Sequence, residues 1–113
     1  MDENQSPIAE SFIALYVPAG RSRPSAPRAE IAARYELCED MAQMLTEHAS
    51  TLLFSLSITE SLVLDRIHQG LLAEGSVVST GEAWWVTRRL AELLNWPQPE
   101  AGGDAPPVAG TVA

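Results

Sequence analysis

The chain contains no lysine, and all seven of its basic residues are arginine. That absence excludes the phosphate-binding loop of the P-loop nucleotidases, whose Gly-Lys-Ser/Thr lysine must reach the nucleotide. Cysteine occurs once, at Cys38. No disulfide can therefore form within one chain and no thiolate cluster can hold a metal, which fits a reducing compartment. The sequence also lacks the run of about eighteen apolar residues that a membrane span requires. Its opening Met1-Asp2-Glu3-Asn4 has neither the basic start nor the apolar stretch of a secretory signal, so a cytoplasmic protein with no membrane contact is expected. Bases are scarce as well. Fifteen acids against seven bases give a formal net charge of -8, a field that repels duplex nucleic acid and anionic membranes and makes nucleic acid an unexpected partner.

What is present is globular in character, with 46% hydrophobic and 19% charged residues in 113. That length suits one domain. Once the irregular ends are set aside, roughly 70 residues remain, a size at which a lone core is only marginally stable, so self-association is expected.

Residues 1–26 read as an N-terminal segment. Ser6-Pro7 offers a cap and a first-turn proline, and Ile8, Phe12, Leu15 and Tyr16 follow at helical spacing, so a short helix is expected there. Val17 to Ala26 holds two prolines, a glycine and two arginines without periodicity, which reads as a loop. Residues 27–96 carry the bundle. From Pro27, the residues Ile31, Tyr35, Cys38, Ala42, Leu45, Ala49, Leu52 and Leu56 recur four and three apart, the stripe of one long helix of roughly 45 Å. Leu37, Met41 and Met44 widen that stripe on one side, while Glu36, Glu39, Asp40, Gln43 and Glu47 form an acidic ridge opposite, and a bend is expected in the polar stretch from His48 to Thr51. Ser57 and Glu60 have the spacing of a capping box, as do Ser79 and Glu82. The helices that follow bury Val63, Leu64, Ile67 and Leu71 in one case, and Ala83, Val86, Leu90, Leu93 and Leu94 in the other. Gly70 and Gly75 end the first of these and Pro97 the second. Residues 97–113 are rich in Pro, Gly and Ala with no apolar period and read as a disordered acidic tail. The expected fold is therefore all-α, a compact bundle of three main helices plus a short N-terminal one, with antiparallel neighbours across the short connections.

No constellation here has the spacing of an active site, and no enzyme activity, cofactor or metal is expected. Cys38 lies on the apolar stripe near Glu36, Glu39 and Asp40, where a thiol behaves as a small hydrophobe rather than a thiolate. His48 and His68 lack both the i,i+4 partner histidine and the repeated Glu-x-x-His of metal-binding bundles. The last two helices resemble a helix-turn-helix only loosely, because the connection from Ala73 to Ser79 is long and bases are few.

Two groups remain. Trp84 and Trp85 are neighbours on a helix, about 100° apart, so both cannot face one core. Arg88 and Arg89 sit at i,i+4 from them, where each guanidinium can cover an indole. Packing of both rings against Phe12 to Tyr16 is the simpler expectation. The sharper one is a partner-binding surface made of Trp84, Trp85, Arg88, Arg89 and Trp96, residue types enriched in interface hot spots. Arg21, Arg23 and Arg28 stand in a stretch, Ser11 to Ala29, that has no acid. They suit an anion or an acidic partner, or the acidic ridge of the chain's own long helix.

The stretches Ser11-Phe-Ile-Ala-Leu-Tyr16, Arg34-Tyr-Glu-Leu-Cys-Glu-Asp-Met-Ala42 and Trp85-Val-Thr-Arg-Arg-Leu-Ala-Glu-Leu-Leu94 resemble a group of small uncharacterised proteobacterial proteins often labelled "ATPase with chaperone activity". The resemblance covers about residues 11 to 96 and carries no site residues with it. Nucleotide hydrolysis by the common folds needs a phosphate cradle, a cation and a magnesium site; without them, the resemblance implies an adaptor or client-handling factor working beside a separate ATPase. The expected function is thus a non-enzymatic protein–protein interaction or adaptor module, homo-oligomeric and with an unknown protein partner. The alternative is a small regulator that holds nucleic acid or nucleotide through Arg21, Arg23, Arg28, Arg88 and Arg89.

Overall fold

The computed structural model describes residues 8–99, and all of its regular structure is helical. Helix α1 (Glu10–Ile13) tightens into a 3-10 turn over Ala14–Tyr16. After a loop come α2 (Arg28–Leu56), α3 (Glu60–Leu71) and α4 (Thr80–Leu94). The all-α bundle expected from the periodicity is the fold observed. The Ser6-Pro7 cap, and the tail beyond Pro99, lie outside the described residues.

Helix α2 begins at Pro27, whose φ of -65° is already helical and whose missing N–H is one no helix start can use. It runs unbroken for 29 residues, about 43 Å at 1.5 Å per residue, through the polar stretch from His48 to Thr51. Continuous packing explains this. Ala42, before that stretch, and Ala49, within it, are both fully buried, and each is held in a different part of the core. The helix stops at Ser57, which takes the left-handed conformation with φ 55°.

Ser57 is therefore the end of one helix and not the cap of the next, as the sequence suggested. The cap of α3 is Thr59, whose hydroxyl accepts from the Leu62 amide at 3.2 Å. Ile58 precedes that cap and Val63 follows four residues beyond it, and both join the same core cluster. This pairing is a hydrophobic staple, and it fixes the register of the helix start. The cap of α4 is as expected: the Ser79 hydroxyl accepts from the Glu82 amide at 3.1 Å, and the Glu82 carboxylate accepts from the Ser79 amide at 2.9 Å.

The ion pairs Arg34–Glu82 and Glu39–Arg89 advance together along both helices, so α4 runs in the same sense as α2, with α3 returning between them. Small side chains let α2 and α4 approach: Cys38 and Ala42 of α2 face Ala83 and Val86 of α4. Phe12 is fully buried in this first cluster. The short N-terminal helix thus contributes to the core of the bundle. A second cluster joins Ala49 to Val63, Leu64 and Ile67 of α3 and to Leu90 and Ala91 of α4.

The stripe expected on α2 holds as far as Leu52. Leu56 is exposed, and Met44, expected to widen the buried face, is 70% exposed. On α4 the buried set includes Trp85, Thr87 and Ala91, with Leu93 and Leu94 only half-buried. The face is turned because α1 packs on α4 as well and takes Trp85 from it.

Candidate functional site

The adjacent tryptophans part company as helical geometry requires. Trp85 is buried: its Nε1 donates to the Ser11 hydroxyl at 2.9 Å, and its ring meets Phe12 and Tyr35 edge-on with centroids 5.1 and 5.6 Å away. Most of the ring serves the core, and only a small part of it is left at the surface. Trp84 is half-buried and packs against the ring of His68, with centroids 5.0 Å apart. Burial holds the His68 imidazole below its usual pKa in spite of Asp65, and its Nε2 is buried without a hydrogen-bond partner.

The two arginines turn to polar groups. Arg89 grips Glu39 of α2 with a two-pronged bond, Nε to Oε1 at 2.8 Å and Nη2 to Oε2 at 3.0 Å, and reaches Glu92 with Nη1 at 3.0 Å. The Arg89 bond, joined by one from Gln43, lowers the Glu39 pKa. One member of the acidic ridge is thereby tied into the fold, and Arg89 is committed to it. Arg88 is exposed; its Nε lies 3.3 Å from the Gln98 side-chain oxygen, and Gln98 donates back to the Arg88 carbonyl at 3.1 Å.

Trp96 stands at the other end of α4. The helix closes with Asn95 in the left-handed conformation, the Asn95 amide donating to Glu92 and the Trp96 amide to Ala91. These are the paired bonds of a Schellman motif, in which the residue after the left-handed one packs back on the helix. Trp96 does so against the second core cluster, away from Trp84. Arg21, Arg23 and Arg28 are exposed in the loop and at the start of α2, and their side chains make no ion pair or hydrogen bond with another described residue.

A groove of about 400 Å³ does bring part of the expected set together. Ala9, Ser11 and Leu15 form one wall; Trp84, Trp85, Arg88, Arg89 and Glu92 of α4 form the other, with Tyr35 among the lining residues. The loop arginines and Trp96 take no part in it. The Ser11 hydroxyl already accepts from Trp85, and neither histidine lines the groove. What it offers is an indole and a leucine beside the solvent-facing guanidinium of Arg88, a surface suited to an apolar side chain next to a carboxylate.

The sequence alone gave no notice of the polar knot beneath. Glu82 is buried, and its Oε2 accepts from the Tyr16 hydroxyl at 2.5 Å and from Arg34 Nε at 2.9 Å, while Oε1 accepts from Arg34 Nη2 at 2.6 Å. Arg34 also donates to the Val77 carbonyl at 2.8 Å. Hydrogen bonds from Arg34, Tyr16 and Ser79 outweigh the burial penalty and hold the Glu82 pKa down at about 2. Burial and the Glu82 carboxylate push the Tyr16 pKa up to about 12, and burial does the same for Cys38. The thiol is thus protonated at neutral pH. Glu82 was visible in the sequence only as a capping-box partner; its two distant partners have no local signal.

No protein-family model, curated protein or solved structure matches this chain. The groove therefore has to be read from its own geometry. No group of three or more histidine, cysteine, aspartate or glutamate side chains suited to a metal ion occurs among the described residues, and no helix there is long and apolar enough to cross a membrane.

Proposed function

We propose that this chain is a non-enzymatic interaction module, an adaptor of the cytoplasm that seats a segment of a protein partner in the groove between α1 and α4. The observation that carries the reading is Trp84, a half-exposed indole on the wall of an open groove beside the exposed Arg88. A large apolar surface left at a concave site is where binding energy concentrates, and the cation selects an acidic neighbour. The partner class we propose is a component of an ATPase or chaperone assembly, as the resemblance to proteins often labelled "ATPase with chaperone activity" implies. Quantitative affinity capture with the wild-type chain, Trp84→Ala and Arg88→Glu provides the test, with Glu74→Ala, exposed and outside the groove, as a control. A specific partner should be retained by wild type and control and lost from both groove variants. A partner retained equally by all four, or no specific partner at all, defeats the proposal.

Arg21, Arg23 and Arg28, exposed and without a side-chain partner among the described residues, favour a second reading, in which the loop holds an anionic group of a nucleotide, a nucleic acid or an acidic protein. Phosphate contacts weaken steeply as salt rises. Titration with nucleotides and short RNA at low and high salt separates this reading from the first.

A further inference from the structure

Helix α2 carries a second seam, apolar but for His48, that the chain itself covers only in part. Leu37, Met41, Met44 and His48 are spaced four, three and four apart, the spacing of a helix packed along another helix. At about 100° per residue this seam lies to one side of the stripe buried by Cys38, Ala42 and Ala49. Leu37 and Met41 are half-buried, and Met44 is 70% exposed.

Beside the seam runs an open groove between α2 and α3, of about 300 Å³, lined by Leu45, Leu52, Ile67 and Gly70 with the exposed His48 and Arg66. It shares no residue with the α1–α4 groove. Gly70 lies in the last turn of α3. A Cβ placed on it would meet nothing within 4 Å, so the groove is open there and an added methyl group would stand in the path of an occupant.

Charge selects the occupant. In a chain of net charge -8, two copies meet most readily on a face that sets a base against acids. On this face the exposed Asp40 and Glu47 of α2 border the seam on the side away from the groove, and Arg66 of α3 stands across the groove. We propose that a second copy of this chain docks here, each copy laying its Met44 seam in the α2–α3 groove of the other about a two-fold axis parallel to α2. That operation alone, among two-fold axes within the contact, reverses the order of features across the face and brings Arg66 of one copy to Glu47 of the other.

Sedimentation equilibrium of the full chain over a range of concentrations tests this. The wild type should form a dimer. Met44→Asp should raise its dissociation constant roughly tenfold or more, with helicity unchanged because the side chain is exposed. Gly70→Ala should weaken the dimer while leaving the monomer equally stable or more so, an outcome that a purely structural glycine does not give. Arg66→Glu and Glu47→Arg should each weaken it, and the double variant should recover it. A chain that stays monomeric to about millimolar concentration, a dimer indifferent to Met44→Asp and Gly70→Ala, single charge reversals that the double variant does not rescue, or a dimer broken by Trp84→Ala instead would overturn the proposal. The last result would place self-association on the α1–α4 groove and leave that interaction surface intact.

Discussion

Glu82, in α4, is a buried carboxylate that three other parts of the chain converge on: Tyr16 from the N-terminal turn, Arg34 from α2 and the Ser79 cap. A buried charge deprived of its partner costs more than the pair ever contributed, so removing one end is the sensitive experiment. Glu82→Gln should destabilise the chain by about 3 kcal/mol at neutral pH in urea unfolding. Its pH signature has a definite sign. The Glu82 pKa of about 2 lies below its ordinary 4.5, so its stabilisation is complete above pH 4.5 and disappears as the pH falls toward 2. The Tyr16 pKa of about 12 lies above its ordinary 10, so its contribution is complete below pH 10 and disappears as the pH rises toward 12. Glu82→Gln should therefore flatten the stability profile on both flanks, with the acid flank keeping the part that Glu39 supplies and the alkaline flank the part that burial of Tyr16 supplies. A variant as stable as wild type, or one with an unchanged profile, would show that the knot does not contribute. Nothing local in the sequence announces it, because Arg34 and Tyr16 lie 48 and 66 residues away from Glu82; charge pairing at that range becomes visible only once the helices are placed.

At the scale of elements, the junction between α2 and α3 separates two neighbouring hydroxyls. Thr59 makes the cap, so Thr59→Ala should cost about 1 kcal/mol. Ser57 sits in the left-handed region that side chains disfavour, so Ser57→Gly should stabilise by roughly 0.5–1 kcal/mol. Opposite signs in thermal or urea unfolding distinguish this junction from one in which Ser57 is the cap, where both signs would reverse. The elements themselves were legible because an apolar stripe repeats its message every turn: Ile31, Cys38, Ala42 and Ala49 each point to the same face of α2. The Ser79–Glu82 cap was legible because both halves lie within one turn. Ser57 and Glu60 had the same spacing without the structure, and the staple between Ile58 and Val63 was the signal that would have placed the cap two residues later. The candidate groove was half legible for a similar reason. Helical geometry said that Trp84 and Trp85 must diverge; it could not say that Ser11 and Phe12 would claim Trp85.

On the scale of the molecule, the question is whether residues before the loop belong to the same cooperative unit as the helices after it. Phe12 decides it: the ring is fully buried, with Trp85, Tyr35 and Tyr16 centroids 5.1, 5.4 and 5.6 Å away. It is one of the largest fully buried side chains in a core otherwise rich in alanine and valine. Phe12→Ala removes that ring and loosens the contact between α1 and α4, at a cost of about 3–5 kcal/mol, a large share of what a small domain possesses. The expected result is a large drop in unfolding midpoint in which helicity and tryptophan emission move together, since Trp85 and α2 share the ring that is lost. If the segment were an accessory, emission would shift red while the helices unfolded at their original midpoint. The groove has the same dependence, because Ala9, Ser11 and Leu15 supply one of its walls. Any partner bound there should therefore raise the unfolding midpoint of the whole chain, and Phe12→Ala should abolish that binding without touching a residue of the groove's lining.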